Sequence, residues 1–376
     1  MARSTLLMFI VFLLNNSFAQ NSPWQSPLRI CTGSNGITFG TSSLFQDSAG
    51  VASVIRIGSS SSDTLLCAFQ WFPAPQGNPK WDRIAVKFSY DGGSSWTTPT
   101  KCIFIGLPGG YQRPFDPALV KLSNGQIRMY FSSSSTINPP AGGIDTYSGI
   151  SNDGITYTID PSVRFDSPTK HAIDPTLAFF GGTWYYNSWT SSNGDGAHRA
   201  ISNDGLTFTT QAMNSYDGSH LWLGNYFVDG SLLKFYGCGS GMWVNASNDG
   251  STWGTYTNVA VMGADPSVTK NKNGTYVMVY TGPPNSTGVK DPFDANAGFS
   301  VFPSEFDDFL MIENKEMKWD LHLELFDLNG KLVHETEIEK GALTTKVELS
   351  FLNAGVYSCI LHSEEKIICK KVIKRS

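Results

Sequence analysis

The heptapeptide S-N-D-G-I-T-Y at Ser151–Tyr157 recurs along the chain and decides the fold. Close copies begin at Ser202 and Ser247, and more distant copies begin at Ser89 and Gly33. The aspartate of each copy, which is an asparagine in the first, follows the preceding one by 56, 62, 51 and 45 residues. Periods near 50 residues are typical of propeller blades, in which each four-stranded unit packs against its neighbours. The sequence therefore predicts five blades.

Each copy has the composition of a tight turn between two strands. The Asp and Ser side chains can bond the backbone of the turn, and the glycine can adopt a positive φ. The aromatic residue at the end of the copy is then expected to pack between sheets. We therefore interpret these residues as structural staples rather than as catalytic groups.

A second repeat places an aspartate at the head of an apolar run in each predicted blade. Clear copies begin at Asp116, Asp174 and Asp265, each followed by a proline, and weaker copies begin at Asp47 and Asp229. Because the first strand of a blade lines the central channel, these five carboxylates are predicted to meet at one mouth of the channel. Like charges in one depression are costly unless they bind cations, share protons or cap backbone amides. The alternative for two or three of them is that Asp-Pro only caps the entry of its strand.

The order of the repeats predicts how the ring closes. The mature chain starts with a turn copy, and the last aspartate head is Asp265. The N-terminal strands are therefore predicted to complete the last blade, which leaves no exposed sheet edge. A ring of six or seven blades with unrecognised copies is the alternative.

The composition separates two regions of the chain. The 376 residues include only 16% charged residues and carry a formal net charge of −5, which excludes a disordered acidic tail and a basic nucleic-acid-binding stripe. Between Gln20 and Ser304 there are 18 Asp and no Glu, whereas the remaining residues from Glu305 hold 4 Asp and 10 Glu. This break marks a domain boundary. It also removes glutamate from the chemistry of the larger region.

The N-terminus has the pattern of a secretory signal peptide at residues 1–19. Arg3 precedes an apolar run at Leu6–Leu14, and small residues mark a cleavage site after Ala19. No later run is long enough to span a bilayer, so no transmembrane segment is predicted in the mature chain. The rest divides into a five-bladed β-propeller at 20–284, a Gly/Asn/Asp-rich linker at 285–298 and a small Ig-like β-sandwich at 299–376. The predicted fold class is all-β.

The six cysteines are widely spaced. They include no C-x-x-C pair, so no metal site is predicted from them. In an exported protein they could pair, and Cys359 and Cys369 lie in consecutive strand-like runs that a disulfide could bridge. The pairing of the other four stays open, with burial as apolar residues as the alternative.

The C-terminal region carries three features of a known export domain. D-L-N-G-K at Asp327–Lys331 predicts a hairpin turn, L-N-A-G-V-Y at Leu352–Tyr357 leads into a strand, and the basic pattern K-x-x-x-K stands at Lys370–Lys374. These features resemble the C-terminal sorting domain of type IX secretion substrates. The resemblance implies passage through the periplasm, the type IX secretion machinery as a partner, and release or attachment at the outer-membrane surface.

The strand K-H-A-I-D-P-T-L at Lys170–Leu177 resembles the A-I-D-P strand of the glycoside hydrolase family 43 arabinanase-like enzymes. The repeated turns are similar to sialidase Asp-boxes, but the arginine triad and the Tyr–Glu pair of sialidases cannot be assembled here. The resemblance implies a five-bladed propeller with an aspartate base, a second aspartate that tunes the acid, and a glutamate acid. Asp47 is the weak match for the base, since Ser48 replaces its proline, and Asp174 matches the tuning aspartate. The glutamate has no counterpart.

Two kinds of side chain are candidates for the missing acid. An inverting hydrolase needs a protonated acid and a base far enough apart to admit a water molecule. The acid could be another aspartate of the ring, with its pKa raised by its neighbours, or a histidine, as in a related five-bladed family that acts on agar oligosaccharides. The candidate catalytic residues are Asp47, Asp116, Asp174, Asp229 and His171, with His220 as a second histidine.

Side chains near the strand heads are candidates for binding a sugar. Aromatic rings supply stacking faces, and Arg113 supplies a fork of donors close to Asp116 in sequence. Packing between blades is the alternative for each aromatic ring. The predicted substrate-binding residues are Trp71, Tyr111, Arg113, Trp189, His220, Trp222 and Asp265.

Several functions fit this pattern. One is a secreted glycoside hydrolase that acts on a polysaccharide or oligosaccharide by acid–base chemistry from an aspartate-lined central pocket. Another is a non-catalytic, surface-displayed carbohydrate-binding or adhesive propeller, and a third is a lyase or other small-ligand activity on the same scaffold. The missing glutamate favours binding, whereas the aspartate ring and the arabinanase-like strand favour catalysis. A calcium ion (Ca2+) on the propeller axis is the one cofactor hypothesis.

Overall fold

The structure is a computed structural model that describes residues 26–375 except 60, 137–138, 141, 283–298, 304, 315–319, 328–330 and 364–366. The predicted signal peptide and linker lie outside these residues. The chain divides into two compact units, Met1–Pro283 and Pro284–Ser376. The regular elements of the described residues are strands, apart from one short 3-10 turn at Asn193–Asp195. Within the same residues, none of the helical structure is long and apolar enough to cross a membrane.

The described residues of the first unit form five sheets, which we call blades 1 to 5. Two strands, β1 (Leu28–Gly33) and β2 (Ser43–Gln46), come first in the chain. Blade 1 consists of β3 (Ala49–Arg56), β4 (Leu65–Trp71), β5 (Arg83–Ser89) and β6 (Thr100–Lys101). Blade 2 consists of β7 (Ile103–Ile105), β8 (Phe115–Lys121), β9 (Ile127–Ser133), β10 (Asp145–Ser151) and β11 (Thr156–Ile159).

The remaining blades continue the same antiparallel pattern. Blade 3 consists of β12 (Ile173–Phe180), β13 (Thr183–Trp189), β14 (Ala197–Ser202) and β15 (Thr209–Asn214). Blade 4 consists of β16 (His220–Asp229), β17 (Leu232–Gly239), β18 (Met242–Ser247) and β19 (Thr257–Val259). Blade 5 joins β20 (Ala264–Lys270) and β21 (Tyr276–Thr281) to β1 and β2.

Blade 5 closes the ring in the predicted way. Strand β1 pairs antiparallel with β21, so that Leu28 lies opposite Thr281 and Gly33 lies opposite Tyr276. The innermost strand of each blade, which we call its first strand, contacts those of its two neighbours, in the cyclic order β3, β8, β12, β16 and β20. Five sheets with their first strands in a closed ring form a five-bladed β-propeller. The all-β fold class is confirmed.

The repeated turns hold their predicted conformation through side-chain hydrogen bonds. In the turn at Ser151–Tyr157, Asp153 Oδ1 accepts the N–H groups of Ile155 and Thr156 at 2.8 and 2.7 Å, and Ser151 Oγ accepts the N–H of Gly154 at 2.9 Å. The same bonds form in the turns at Ser202 and Ser247. These bonds satisfy backbone donors that would otherwise be exposed at a loop.

Each of three turns also joins its blade to the preceding one. The Tyr130 hydroxyl of blade 2 donates to the Gly205 carbonyl of blade 3 at 2.8 Å, and the Tyr185 hydroxyl of blade 3 donates to the Asp249 carbonyl of blade 4 at 2.7 Å. The Tyr236 hydroxyl of blade 4 reaches the Gly36 carbonyl in the same way at 2.9 Å. The turns therefore act between blades as well as within them.

Four propeller cysteines, Cys31, Cys67, Cys102 and Cys238, are buried free thiols. Burial raises the pKa of Cys31 and of Cys238 to about 12, so these thiols stay protonated and pack as apolar groups. The disulfide between Cys359 and Cys369 stays a prediction, because the side chain of Cys369 lies outside the described residues.

The second unit is a two-sheet β-sandwich. Its strands are β22 (Phe299–Phe302), β23 (Glu305–Phe306), β24 (Phe309–Asn314), β25 (Leu321–Phe326), β26 (Leu332–Ile338), β27 (Thr344–Glu348), β28 (Gly355–His362) and β29 (Ile367–Lys374). One sheet has the order β22-β24-β27 and the other has the order β23-β29-β28-β25-β26. Residues alternate between buried and partly exposed along β25, so one face of the larger sheet covers the core and the other faces solvent.

Candidate functional site

Three of the predicted aspartates, Asp116, Asp174 and Asp265, occupy the same position in the first strands of blades 2, 3 and 5. Each lies at a bulge, with φ values of +50°, +49° and +48°. This left-handed conformation is uncommon for residues other than glycine, and aspartate is among those that tolerate it best. We call the end of the channel at which these strands begin the channel mouth.

The five first strands line a small, partly open cavity just inside this mouth. Its volume is about 10 Å³, close to the space of a single water molecule. Every blade contributes to its lining: Val51, Ala52, Ser53, Pro117, Ala118, Asp174, Pro175, Thr176, Gly224, Asn225 and Asp265. Because residues from all five blades line it, the cavity lies on the axis of the ring.

The three carboxyl groups perturb one another. Oδ2 of Asp116 accepts the backbone N–H of Asp174 at 3.3 Å. Burial raises the pKa of Asp116 to about 6. Burial and then the Asp116 charge raise the pKa of Asp265 to about 7, and burial with both neighbouring charges raises the pKa of Asp174 well above its usual range. The cluster therefore keeps protons near neutral pH.

Side chains two residues further along these strands join neighbouring blades. Ser53 Oγ accepts the N–H of Leu119 at 2.8 Å, and Thr176 Oγ1 accepts that of Tyr226 at 2.9 Å. Ser267 Oγ does the same for Val54, also at 2.9 Å. Each bond satisfies a backbone donor of the next first strand, which the closed ring would otherwise bury unpaired.

Blades 2 and 4 vary this pattern. Blade 4 uses Asn225, whose Oδ1 accepts the N–H of Val268 at 3.3 Å. Blade 2 has Ala118 at this position and therefore no acceptor. The bond from the Asp174 N–H to Asp116 crosses that same seam between blades 2 and 3. Asp116 thus takes part in joining blades 2 and 3.

In blades 1 and 4, the residues that correspond to the three axial aspartates lie two positions before Ser53 and Asn225. The equivalent in blade 1 is Val51, whose φ of +48° matches that of the three aspartates. The equivalent in blade 4 is Leu223. The ring therefore imposes the left-handed backbone on blade 1 even where the side chain is a β-branched, apolar one. Two of the five predicted carboxylates are replaced by apolar residues.

Asp47 is not part of the axial cluster, contrary to the prediction. It is an exposed residue of the loop between β2 and β3, four residues before Val51, and its Oδ1 accepts the N–H of Ser48 at 3.0 Å. The sequence pattern failed here because an aspartate that heads an apolar run looks the same whether or not it falls at the bulge.

Asp229 is also misplaced by the prediction, because it ends strand β16 and the mouth lies at the beginning of that strand. Its carboxylate pairs with Lys234 at 2.7 Å and with Lys270 at 2.5 Å, and the Tyr276 hydroxyl donates to it. Although burial opposes the shift, these hydrogen bonds lower the pKa of Asp229 to about 2. Asp229 is a structural ion-pair residue of blades 4 and 5.

His171 and Trp189 flank Asp174 at the mouth side of blade 3. Trp189 ends β13 opposite Ile173. The carbonyl of His171 lies 3.0 Å from Nε2 of His198. The indole N–H of Trp189 and Nδ1 of His171 are both buried without a hydrogen-bond partner in the described structure. Buried polar atoms without partners are rare in proteins, and they often mark a place for water or a ligand.

Trp222 and His220, the other candidates in blade 4, make structural contacts. Trp222 is 5% exposed and packs against Phe235 and Trp243 in the core, so the prediction that it stacks on a sugar is wrong. His220 stacks on Tyr256 with ring centroids 3.8 Å apart, and its Nδ1 lies 2.8 Å from Oδ2 of Asp217.

Blades 1 and 2 supply the remaining candidates. Trp71 ends β4 at the mouth side, opposite Ala49. Arg113 pairs with the carboxylate of Asp82, and its Nε donates to the Asp82 carbonyl at 2.9 Å. The predicted fork of donors near Asp116 is thus directed at Asp82. Tyr111 packs edge-on against Tyr147 with ring centroids 5.6 Å apart.

Asp145 was missed by the sequence analysis. It begins β10, the third strand of blade 2 counted outward from β8. Strand β10 runs parallel to β8 and therefore starts at the same mouth. Burial and then the charge of Asp166 raise its pKa to about 6, against a hydrogen bond from Tyr147 that lowers it. The signal that could have found it is an aspartate at the head of a third strand, in I-D-T-Y.

The axial cavity has oxygen donors of the kind that calcium prefers. The carboxylates of Asp174 and Asp265 and the side-chain oxygen of Asn225 line it. The side-chain oxygens of Ser53, Thr176 and Asn225 already accept backbone hydrogen bonds. The donor chemistry fits a hard cation, and axial calcium stays a prediction.

Several solved structures are similar to this chain. The exo-β-1,3-galactanase of Phanerochaete chrysosporium has a TM-score of 0.44 and 11% identity, over 92% of this chain and 99% of that one. A GH43_1 enzyme from Xanthomonas citri has a TM-score of 0.44 and 9% identity, over 62% and 87% of the two chains. A GH43_12 protein from a capybara gut metagenome has a TM-score of 0.41 and 11% identity, over 88% and 79%. With TM-scores below 0.5, these likenesses say nothing about substrate or reaction.

The C-terminal unit is the part of the chain that matches a family model. Residues 300–375 match the secretion system C-terminal sorting domain, whereas no curated protein matches the chain. The match agrees with the turn, strand and basic end seen in the sequence. Residues 300–375 are therefore similar to a secretion system C-terminal sorting domain, and this similarity supports export and either secretion or attachment at the cell surface.

Proposed function

We propose that the propeller binds a glycan at the channel mouth and does not hydrolyse it. The observation that carries this proposal is Val51, an apolar residue at the blade 1 position that corresponds to Asp116, Asp174 and Asp265. The aspartate predicted for that role from sequence, Asp47, lies outside the cluster. A base on the blade 1 side of the channel is therefore missing.

The geometry of the axial cluster also argues against hydrolysis. An inverting glycosidase holds its two carboxyl groups about 6.5–9.5 Å apart, so that a sugar and a water fit between them. Here the axial cavity lined by Asp174 and Asp265 has a volume of about 10 Å³, close to that of one water molecule, so it does not hold a sugar together with a water. The region Gln20–Ser304 contains no glutamate that could replace the missing acid.

The side chains around the mouth support a sugar as the ligand. Trp71 and Trp189 offer partly exposed indoles, and Tyr111 and Asp145 add a ring and a carboxyl group. Aromatic faces with a few convergent polar groups are suited to the apolar faces and hydroxyls of sugars. The unpartnered indole N–H of Trp189 would gain an acceptor when a hydroxyl or a water binds beside it. The resemblance of the Lys170–Leu177 strand to family 43 enzymes points to the same ligand class.

Hydrolysis is the second candidate, and the raised pKa values favour it. Burial raises the pKa of Asp116 to about 6 and that of Asp265 to about 7. It also raises the pKa of Asp145 to about 6. A general acid works best when its pKa lies near the working pH. These groups would be protonated in the range where a glycosidase acid must donate.

The two functions are separated by one set of assays on the full chain. Arabinan, xylan, galactan and agar are tested for binding by affinity electrophoresis and for hydrolysis by product analysis. We expect retardation by at least one polymer, weakened in Trp189→Ala, and no sugar release. Release of sugar that Asp174→Asn abolishes would establish the hydrolase instead. Neither retardation nor release with any of the four polymers would reject the glycan proposal.

A further inference from the structure

The solvent-facing side of the larger sheet in the C-terminal unit carries a group of histidine and glutamate side chains. Strand β25 is flanked by β26 and β28, so residues of all three strands lie side by side. His322 of β25 lies between Glu337 of β26 and His362 of β28. Two residues further along β25, Glu324 lies beside Glu335 of β26. We call these five residues the His–Glu cluster. None of them belongs to the hydrophobic core of the sandwich.

The cluster brings metal-binding atoms within reach of one another. One ligand atom each of His322, Glu324 and Glu335 lie within 4.8 Å of each other. Nε2 of His322 is 3.9 Å from Oε2 of Glu335, and Nε2 of His362 is 4.0 Å from Oε2 of Glu324. Four donors of a tetrahedral zinc site with 2.0–2.1 Å bonds stand about 3.3 Å apart. Contraction of up to about 1.5 Å among His322, Glu324 and Glu335 would bring their donor atoms to this spacing, and His362, 4.0 Å from Glu324, would complete the set.

Glu337 gives His322 the orientation that a metal ligand needs. Nδ1 of His322 lies 2.7 Å from Oε1 of Glu337. When Nδ1–H donates to this carboxylate, the lone pair of the neutral ring is on Nε2, the atom that faces Glu335. A carboxylate behind a histidine is the arrangement that fixes the tautomer of metal-ligating imidazoles.

The charge balance of the cluster also favours a cation. Glu324, Glu335 and Glu337 bring three negative charges to one surface. Within the described part of the chain, their ion-pair partners are the imidazoles of His322 and His362 and no lysine or arginine. A bound cation would compensate these three negative charges.

We propose that the His–Glu cluster binds a zinc ion through His322, His362, Glu324 and Glu335, with Glu337 as a positioning residue. Two imidazoles and two carboxylates suit zinc better than calcium or magnesium, which prefer oxygen donors alone. The bound ion would join β26, β25 and β28, and it would stabilise the folded sandwich through binding.

Zinc titration of the full chain, produced without an affinity tag, tests this proposal. We expect isothermal titration calorimetry with Zn2+ alone to give a site of one ion per chain. The affinity of this site should fall at least about 100-fold in His322→Ala and in Glu324→Gln, since each removes a ligand. Glu337→Gln should keep the stoichiometry and weaken binding by about 10–100-fold, the effect of losing a partner behind a ligand.

His334→Ala is the matched control. His334 lies in β26 as well, but it packs against Phe351 with ring centroids 5.4 Å apart and pairs with Leu325, a core-facing residue. Its loss should leave the zinc site unchanged. Circular dichroism of each metal-free variant checks that the fold is kept. Absence of zinc binding at millimolar Zn2+, or binding that is equal in the wild type, His322→Ala and Glu324→Gln, would overturn the proposal.

Discussion

The axial aspartates of the propeller and the His–Glu cluster of the sandwich gather acidic groups in opposite ways. Asp116 is 6% exposed and accepts the backbone N–H of Asp174, whereas the Glu335 side chain is 60% exposed on the face of a sheet. Burial in the first case shifts the proton equilibrium. Exposure in the second leaves the groups free to rearrange around an ion. The difference shows that the burial of carboxyl groups affects their protonation and their capacity to bind an ion as much as their number does.

The largest expected effect that sharpens this comparison is a pH dependence of the propeller. The native pKa of Asp116 (about 6) and Asp265 (about 7) lie above the ordinary value of 3.8, so the native state holds more protons than the unfolded state between about pH 4 and pH 7. The stability of the propeller is therefore expected to fall as the pH rises through this range. For the coupled cluster the loss is on the order of a few kcal/mol, at about 1.4 kcal/mol per unit of pKa.

Denaturation in urea at pH 5 and pH 8, followed by tryptophan fluorescence, measures this effect. Nine of the ten tryptophans lie before Pro284, so the signal reports on the propeller. Asp265→Asn should flatten the pH dependence. A propeller that is more stable at pH 8 than at pH 5 would break the comparison, because its buried carboxyl groups would then be charged in the native state.

A second, smaller effect concerns the bonds that hold the axial cavity together. Thr176→Val keeps the shape of the side chain but removes the acceptor of the Tyr226 N–H. Leaving a buried donor unpaired costs about 1–3 kcal/mol, so the midpoint of urea unfolding should fall accordingly. Ala118→Ser is the counterpart, since it offers a side-chain acceptor at the blade 2 position that has none, and it should not lower the midpoint. Equal midpoints for Thr176→Val and the wild type would count against this role.

The smallest expected effect belongs to the exposed cluster. Without zinc, Glu335→Gln should change the stability of the full chain by less than about 0.5 kcal/mol, because exposed ion pairs contribute little. With saturating zinc, the same variant should lose a large part of the metal-dependent rise in melting temperature. Differential scanning calorimetry with and without Zn2+ measures both. A large loss of stability without zinc would mean that the cluster is a structural network.

Much of the fold could be predicted because the repeated turns are local. The S-N-D-G turn forms its bonds within about five residues, as in the bonds of Asp153 to Ile155 and Thr156. The spacing of the turns then led to five sheets, and the early turn copy led to closure by β1. The all-β class and the export domain followed from such patterns.

The candidate site could be predicted only in part, because its geometry depends on the register of each bulge. Asp116, Asp174 and Asp265 were found since a proline marks the bulge in each. Val51 and Leu223 carry no such mark, and their equivalence appears only from the bonds of Ser53 and Asn225 to the next blade. A shift of a few residues along a strand was enough to place Asp47 and Asp229 at the mouth in error.

The proton balance of unfolding tests the central claim about the axial aspartates most directly. Calorimetric unfolding of the full chain at pH 6, in buffers of different ionisation enthalpy, gives the number of protons released or taken up. The buried cluster predicts a net release, which should decrease in Asp265→Asn because that group no longer carries a proton in the native state. No exchange of protons, or net uptake, would contradict the account, since it would mean that the three carboxyl groups are already ionised in the folded propeller.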